Sequence, residues 1–498
     1  MTKHTMNLLL LCFFLCINSL TVFGSNNLDK ERLAQALARY DDFSHFENGL
    51  APVQKDEKWG LIDKAGNEVV PVIYDEIKNW IEGADGLARV FKNDKYGLID
   101  KTIGREITPL VYDWIEDFAS EGFIIVKKNG KYGFVDKQGR EVVPVIYDRV
   151  KDFSEGFALV CIAKRNQWGA WKYRYGFVDT NGKEVIPLIY SDSHMWSAGF
   201  SEGFATLYKT KTDENGREIS RAGFINKRGK EVVPFIYEEA YDFFNGMAHV
   251  RKNNKWGFIN KRGKEVIPII YDYREIGRQF NDGLVWFRRD GKYGFFNKRG
   301  RVVIPPIYDG VRNFSQGMAA VKKNGKWGYI NRRGRVVIPF IYDSAGYFPW
   351  EHREGEQLVN LARVRRNGKY GFIDNRGREV VPVIYDRIGH SFREGFVEIT
   401  KNRRRGFVNK RGEEIVPPIY SSVGSFNEGM AFFQRNHRLG FVDKTGKEVI
   451  PPIFHSAPFA PFFSDGLALI GKNGVKGFVD KQGNFIYPGG VKLINSIE

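Results

Sequence analysis

Cysteine is nearly absent from this chain of 498 residues. Of its three cysteines, Cys12 and Cys16 lie within the first 24 residues, so Cys161 stands alone in the remainder. Cys161 therefore has no partner for a disulfide after residue 24, and the CxxC spacing typical of zinc sites does not occur. The sequence therefore excludes a fold stabilised by disulfides or by a cysteine-ligated metal.

The usual signatures of catalysis are missing as well. The eight histidines occupy no common position and form no HExxH pair. The segment Gly199–Gly203 has the pattern G-x-S-x-G, but Ser201 belongs to a loop phrase that recurs at Ser154 and Ser315, without the strand–turn–helix context of a nucleophile. We expect no enzyme activity, no metal and no cofactor. The alternative is an enzyme whose site is built in insertions.

Long apolar runs are absent after the N-terminus. Met1–Gly24 has a short basic start, the apolar stretch Leu8–Leu15, and small residues at Val22 and Gly24. This pattern predicts a secretory signal peptide cleaved after Gly24, because the run is far short of the roughly 20 apolar residues that span a membrane. We expect export to the periplasm, the cell surface or the medium.

Helical patterns are scarce too. The one helical phrase is Asn27–Tyr40, where Asn27 can cap the N-terminus and Leu33 with Leu37 form an apolar i, i+4 pair. We expect this helix to cover the first edge of the β structure that follows. The alternative is a separate binding helix.

What the chain has in abundance is one repeated phrase, seen at Asn129–Val160. Asn129-Gly130 predicts a two-residue hairpin turn, because both positions tolerate positive φ. A strand is predicted at Lys131–Asp136 and another at Glu141–Asp148, where Pro144 indicates an edge or bulged strand. The unit is thus predicted to contain three short strands and one compact loop.

The phrase recurs in tight register. In eleven of twelve units a turn glycine follows the core glycine by six residues and a proline follows it by eleven, so composition alone cannot explain the pattern. The core glycines are Gly60, Gly97, Gly133, Gly176, Gly223, Gly257, Gly294, Gly328, Gly371, Gly406, Gly440 and Gly477.

These units resemble the WG-repeat family, a bacterial β-rich repeat named for its Lys-Trp-Gly or Lys-Tyr-Gly phrase. The phrase occurs here as Lys58-Trp59-Gly60, Lys255-Trp256-Gly257 and Lys326-Trp327-Gly328. The resemblance implies a repeat scaffold without catalytic residues. The resemblance covers the chain from about residue 43 onward. The domain organisation we predict is therefore a signal peptide at 1–24, a capping helix and lead-in at 25–42, and an array of about twelve repeats at 43–498.

The fold class expected is all-β. We favour an open, hairpin-built solenoid, because a solenoid accepts any number of units and propellers typically have four to eight blades of four strands. The alternative is one or two β-propellers.

The net charge of +17 is concentrated in one region. Asn226–Arg335 contains 24 Lys and Arg against 10 Asp and Glu, which gives +14 and leaves +3 for the rest of the chain. In four consecutive units the residue that ends the strand is Asn, where seven other units have Asp, and the turn after it is basic. These Asn residues are Asn226, Asn260, Asn297 and Asn331, and the basic residues are Lys227, Arg228, Lys230, Lys261, Arg262, Lys264, Lys298, Arg299, Arg301, Arg332, Arg333 and Arg335.

Stacked repeats would bring these turns together into a ridge that attracts polyanions. We predict a partner among anionic surface polysaccharides, phospholipid headgroups and extracellular nucleic acid. The alternative is a solvated surface that only aids solubility.

Aromatic residues suggest a second surface. Those within the repeat register are expected to pack against neighbouring units. Four tryptophans lie outside the register, so they are candidates for an aromatic patch that binds carbohydrate or protein: Trp168, Trp171, Trp196 and Trp350.

Overall fold

The computed structural model describes residues 28–493 except 79, 166–168, 192–198, 213, 349–359 and 456–459. The predicted signal peptide therefore lies outside the described residues, as do the predicted cap Asn27 and the tryptophans Trp168, Trp196 and Trp350. One helix occupies residues 28–37, and 48 strands follow it.

The strands form twelve small antiparallel sheets, one for each repeat, which we call blades 1 to 12. A typical blade has four strands in sequence order, at positions a, b, c and d. Blade 7 has three named strands and blade 12 has five.

The strands of blades 1 to 6 are β1 (Asp42–Phe43), β2 (Leu50–Lys55), β3 (Lys58–Asp63), β4 (Glu68–Tyr74); β5 (Glu76–Lys78), β6 (Leu87–Lys92), β7 (Lys95–Asp100), β8 (Arg105–Glu106); β9 (Trp114–Ser120), β10 (Phe123–Lys128), β11 (Lys131–Asp136), β12 (Glu141–Tyr147); β13 (Arg149–Val150), β14 (Phe157–Arg165), β15 (Trp171–Asp179), β16 (Glu184–Tyr190); β17 (Phe200–Ser201), β18 (Phe204–Thr212), β19 (Glu218–Asn226), β20 (Glu231–Tyr237); β21 (Glu239–Ala240), β22 (Met247–Lys252), β23 (Lys255–Asn260) and β24 (Glu265–Tyr271).

Those of blades 7 to 12 are β25 (Leu284–Arg289), β26 (Lys292–Asn297), β27 (Val302–Tyr308); β28 (Gly310–Val311), β29 (Met318–Lys323), β30 (Lys326–Asn331), β31 (Val336–Tyr342); β32 (Ser344–Ala345), β33 (Ala362–Arg366), β34 (Lys369–Ile373), β35 (Glu379–Tyr385); β36 (Arg387–Ile388), β37 (Phe396–Lys401), β38 (Arg404–Asn409), β39 (Glu414–Tyr420); β40 (Ser422–Val423), β41 (Met430–Arg435), β42 (Arg438–Asp443), β43 (Glu448–Phe454); β44 (Phe463–Ser464), β45 (Leu467–Lys472), β46 (Val475–Asp480), β47 (Asn484–Tyr487) and β48 (Gly490–Leu493).

The hairpin of each blade forms as its turn chemistry requires. Between β10 and β11, Asn129 has φ 52° and Gly130 has φ 75°, which is the backbone that a two-residue hairpin turn needs. The d strand β12 is the free edge of its sheet, and its pairing with β11 shifts register between Tyr132 and Phe134. The edge position predicted from Pro144 is therefore confirmed.

Each typical unit has four strands rather than the three predicted. The extra strand is short: in blade 4, Arg149 and Val150 pair with Cys161 and Val160. A single residue, Asp148, separates it from the preceding d strand, so the chain passes into the next sheet without a linker. Two residues are too few to show the alternation that predicts a strand.

The repeats close into a ring, so the favoured open solenoid is wrong and the propeller alternative is right. The amide nitrogen of Gly49 in blade 1 donates to Oδ2 of Asp465 in blade 12, at 2.7 Å. Nζ of Lys64 in blade 1 also lies 3.5 Å from Oδ1 of Asp465. The molecule is a single propeller with twelve blades.

Apolar side chains fill the space between neighbouring blades. Phe134 and Val143 of blade 3 share one cluster with Phe153 and Val178 of blade 4. The rings of Phe134 and Phe153 meet edge to face with centroids 4.9 Å apart. Because each blade buries its surface mainly against its neighbours, the core is distributed around the ring.

The helix covers the seam where the ring closes. Leu33 and Leu37 are buried in a cluster that contains Phe46 of blade 1 and Phe478 of blade 12. A β-carbon on Gly66 would lie 2.5 Å from Cβ of Ala36, so the helix sits directly on a turn of blade 1. The predicted capping helix is present, but it seals a closed ring and not the end of an open array.

The antiparallel order gives the ring two distinct faces. The turns between strands b and c lie on one face, which we call the hairpin face. The a–b loops and the c–d turns lie on the other, which we call the latch face.

Candidate functional site

On the latch face, a recurring set of contacts joins neighbouring blades. A carboxylate in the a–b loop of one blade accepts a hydrogen bond from a glycine N–H in the a–b loop of the following blade. Glu155 accepts from Gly203 at 3.0 Å, and Oε2 of Glu155 also lies 3.1 Å from Nζ of Lys227 in the c–d turn of that blade. We call this arrangement the latch.

Seven such glycine contacts occur within the described residues, six of them with a cation that completes the latch. Burial alone would raise the pKa of Glu202, but hydrogen bonds from Lys261 and Gly246 hold its pKa below the ordinary value. The contacts are Asp465–Gly49, Glu121–Gly156, Glu155–Gly203, Glu202–Gly246, Asp282–Gly317, Glu394–Gly429 and Glu428–Gly466. The cations of the six complete latches are Lys64, Lys227, Lys261, Arg332, Lys444 and Lys481.

The c–d turn is held by the side chain that ends strand c. In blade 3, Oδ1 of Asp136 accepts from the backbone nitrogens of Gln138 and Arg140, and its Oδ2 binds Nε of Arg140 at 2.7 Å. In blade 5, Oδ1 of Asn226 accepts the same two backbone bonds, each at 3.0 Å. Asn therefore keeps the turn but provides no charge to hold the third basic residue.

The structure places all twelve predicted basic residues in the c–d turns of four consecutive blades, 5 to 8, on the latch face. It divides them by role. The first basic residue of the turn belongs to a latch in three cases: Lys227 with Glu155, Lys261 with Glu202 and Arg332 with Asp282. These three residues hold blades together.

The other nine form what we call the basic arc. Within the residues that the structure describes, none of the nine side chains makes a salt bridge, and all nine are exposed. The basic arc consists of Arg228, Lys230, Arg262, Lys264, Lys298, Arg299, Arg301, Arg333 and Arg335.

At two further positions of the repeat, blades of this region have a neutral residue where most other blades have an acidic one. Asn245 and Gln316 occupy latch positions that carry a carboxylate at most other boundaries. Val302 and Val336 begin their d strands, where eight other blades have Glu. These two valines are 45% and 53% exposed, so apolar packing does not explain the replacement.

A hollow of about 780 Å³ opens on the latch face at blades 6 to 8. The a–b loops of blades 6, 7 and 8 line it at Asn245, Gly283 and Gly317. Arg332 and Arg333 also line it, so the hollow adjoins the basic arc.

On the hairpin face, a repeated ion pair engages the lysines of the Lys-Trp-Gly and Lys-Tyr-Gly phrases. There the Lys of the Lys-Trp-Gly phrase pairs with the Asp that follows strand d: Nζ of Lys131 lies 2.7 Å from Oδ1 of Asp148, and Nζ of Lys326 lies 2.6 Å from Oδ1 of Asp343. A hydrogen bond from Lys326 lowers the pKa of Asp343. This repeated pairing neutralises the lysines of the phrase.

The serine and cysteine side chains that could act as nucleophiles are engaged in packing or in hydrogen bonds between blades. Oγ of Ser201 donates to the backbone oxygen of Phe243 in the next blade at 2.8 Å, as Ser154 does to Phe200. Burial raises the pKa of the Cys161 thiol to about 11. Among the described residues, no group of three or more His, Cys, Asp and Glu is arranged to hold a metal ion.

His249 is buried at the interface of blades 6 and 7. Its ring packs against those of Trp256 and Phe258, at centroid distances of 4.5 and 4.7 Å. Neither ring nitrogen has a hydrogen-bond partner in the described part of the chain. Desolvation, with a smaller effect from Arg278, lowers the pKa of His249 to about 3.

The predicted aromatic patch is represented by one described residue. Trp171 begins β15 on a lengthened hairpin, is 54% exposed and lies under the Arg165 guanidinium at 4.9 Å. Within the register, Trp256 is 3% exposed and packs in the core, while Trp327 is half-buried with Arg312 at 5.5 Å.

Sequence reasoning missed the latch carboxylates. Acidic residues such as Glu155 join blades, although their residue type alone is equally typical of a solvated turn. The available signal was the fixed phrase Ser-Glu-Gly at Ser154–Gly156, since an acid retained before glycine in many units has a common task.

These features define a class, the β-repeat protein closed into a propeller. The family model described as WG containing repeat matches the chain twelve times, so the chain belongs to that family. The matches cover residues 38–59, 59–96, 96–132, 132–165, 175–207, 223–256, 256–293, 293–327, 327–370, 370–403, 406–436 and 440–475.

Comparison with curated proteins found no match. Among solved structures, a eukaryotic initiation factor aligns at 10% identity over 73% of this chain and 94% of its own, with a TM-score of 0.34. PorZ of Porphyromonas gingivalis, a bacterial surface component of the type-IX secretion system, aligns at 9% identity over 87% and 73%, with a TM-score of 0.20. Similarity this low carries no argument about this chain.

In the described ranges, none of the helical structure is long and apolar enough to cross a bilayer.

Proposed function

We propose that the protein is an exported, non-enzymatic scaffold that binds an anionic polymer along the basic arc. The observation that carries this proposal is the loss of a charged partner for the third basic residue of each of the four turns. Asn in place of Asp removes the charge that binds Arg140 in blade 3 but preserves both backbone bonds of the turn. Fold stability does not require that exchange, so its occurrence in four consecutive blades whose turns each carry three basic residues favours a role in binding.

A polymer suits the arc better than a small ion does. The arc repeats one basic turn per blade over four blades, and a polyanion repeats its charges along its length. Exposed contacts of this kind are weak singly, but linking them on one chain multiplies the affinity. Binding driven by many exposed charges weakens as salt rises.

The class of polymer follows from what the turns lack. Single-stranded nucleic acid is bound by aromatic side chains interleaved with basic ones. The four basic turns carry no aromatic residue, so an acidic polysaccharide or a surface with anionic headgroups fits better. Export, supported by the leader pattern at Met1–Gly24, would place the protein where such polymers occur.

The test uses residues 25–498 and two variants that each lose eight positive charges. The arc variant replaces eight arc residues with Gln and keeps Lys298. The control variant replaces eight basic residues near the hairpin face, none with a salt bridge among the described residues: Lys55, Lys92, Lys128, Lys252, Arg289, Lys323, Lys401 and Lys472.

Retention is measured on heparin and on a carboxylated glycan column, with circular dichroism to verify the fold. We expect the arc variant to elute at much lower salt than the wild type and the control variant to stay close to it. An equal loss of retention in both variants would show that retention depends on the net charge alone and would contradict the proposal. Unchanged retention of a folded arc variant would refute the proposal.

A further inference from the structure

The latch is interrupted at the boundary between blades 6 and 7. The carboxylate position is occupied there by Asn245, whose Nδ2 donates to the backbone oxygen of Phe280 at 3.1 Å. One boundary earlier, Glu202 accepts from Gly246 at 2.9 Å and lies 3.0 Å from Nζ of Lys261. Asn245 brings no negative charge to the matching place.

The donors that a latch carboxylate would bind are nevertheless present. Gly283 has φ 80°, close to the φ of 79° at Gly246, so its N–H belongs to the same turn geometry. Lys298 holds the same place in its turn as Lys261. Within the described structure, neither the Gly283 amide nor the Lys298 ammonium has a hydrogen-bond partner.

The adjacent acid is already engaged elsewhere. Oδ2 of Asp282 accepts from the N–H of Gly317 at 2.6 Å and lies 3.4 Å from Arg332, so it forms the next latch. Gly283 and Asn245 both line the hollow, which makes this boundary accessible from solvent. The unfilled position is thus a polar recess at the edge of the basic arc.

We propose that a carboxylate of the bound polymer fills this position, accepting hydrogen bonds from the N–H of Gly283 and from Nζ of Lys298. The inference rests on the proposed function and specifies its ligand chemistry. A carboxylate is favoured because the other latches of the ring are built around one. Hydrogen bonds from an ammonium and an amide to a carboxylate are charge-assisted and shorter and stronger than neutral ones.

The test restores the protein's own carboxylate. Asn245→Glu should complete the latch, exclude the ligand and leave every basic residue in place. We expect binding of polygalacturonate and of poly-glutamate to weaken roughly tenfold, the effect of losing one charge-assisted contact. Because the latch is closed, the melting temperature should rise. Gln138→Glu adds the same charge to an exposed turn of blade 3 on the same face and should change binding less than about twofold.

A second variant tests the other side of the contact. Lys298→Gln should weaken binding about as much as Asn245→Glu does, and the double variant should lose little more, because both changes remove one contact. The two polymers distinguish a uronic acid from an acidic peptide as the source of the carboxylate.

The outcomes separate this inference from the proposed function. If the arc variant loses binding while Asn245→Glu binds as well as Gln138→Glu does, the carboxylate site at the recess is wrong and polymer binding on the basic arc is supported. If Asn245→Glu abolishes binding while the arc variant retains it, the arc is overturned. A wild-type protein that binds sulfated polymers only would contradict the carboxylate assignment, and one that binds no polyanion would contradict both.

Discussion

The amide nitrogen of Gly49 donates a 2.7 Å hydrogen bond to Oδ2 of Asp465, although 416 positions separate the two residues. The bond is the same latch that joins successive blades elsewhere, as between Gly466 and Glu428 at 2.9 Å. The seam of the ring is therefore closed by the contact that the repeat uses at its internal boundaries.

Closure can be tested by comparing two latches. Asp465→Asn at the seam and Glu428→Gln inside the ring each remove the carboxylate charge from one latch. We expect each to lower the free energy of unfolding by about 1–2 kcal/mol, because a charge-assisted bond is lost. Urea denaturation measures both. An effect at Glu428 without one at Asp465 would indicate that the first and last blades are not joined.

Turn glycines should differ in importance according to what they touch. Gly412 and Gly325 have φ of 82° and 80°, but a β-carbon on Gly412 would lie 1.9 Å from the oxygen of Val380, whereas one on Gly325 meets nothing within 4 Å. Gly325→Ala should cost about 1 kcal/mol from backbone strain alone. Gly412→Ala should cost several times more, since two blades must separate. Similar melting temperatures for the two variants would contradict the packing.

Neighbouring basic residues of one turn should separate stability from binding. Lys261 belongs to a latch and Arg262 to the basic arc. Lys261→Gln should lower the melting temperature, because Glu202 loses its cation, and should affect polymer binding little. Arg262→Gln should leave the melting temperature within error and reduce retention on heparin. The reverse pattern would invalidate the division of the twelve residues.

His249 should make the ring sensitive to acid. Its folded-state pKa of about 3 lies below the ordinary 6.5, so the unfolded chain takes up a proton that the folded chain refuses. The contribution of the neutral His249 to the free energy of unfolding is fully present above about pH 6.5 and is lost as the pH falls toward 3. Between pH 6.5 and 5 the loss should be about 2 kcal/mol. His249→Phe should reduce this loss. If the free energy of unfolding of this variant depended on pH between 5 and 7 as that of the wild type does, the role assigned to His249 would be wrong.

The repeat, its hairpins and its edge strand could be predicted from the sequence because each is local. Asn129-Gly130 specifies its turn by backbone preference, and Pro144 specifies an edge by lacking an N–H. Closure could not be predicted in this way, because it depends on small rotations between blades that sum over twelve repeats. No single residue encodes that sum.

The basic turns were likewise found from sequence, since the residue types and their register are visible there. The division between latch and arc was not, because Lys261 and Lys264 look alike until Glu202 is placed beside one of them. The absence of a carboxylate at Asn245 could be interpreted only after the structure had shown what the carboxylate at this position does in other blades. The other blades of the same chain provide this comparison.

The most direct test of polymer binding on the basic arc is lysine labelling with and without bound polymer, read by mass spectrometry. Lys230, Lys264 and Lys298 lie in the arc, whereas Lys447 is an exposed residue of the c–d turn in blade 11. We predict that polygalacturonate or heparin protects the three arc lysines several-fold and leaves Lys447 unchanged. Equal protection of Lys447, or protection confined to the hairpin face, would contradict the account.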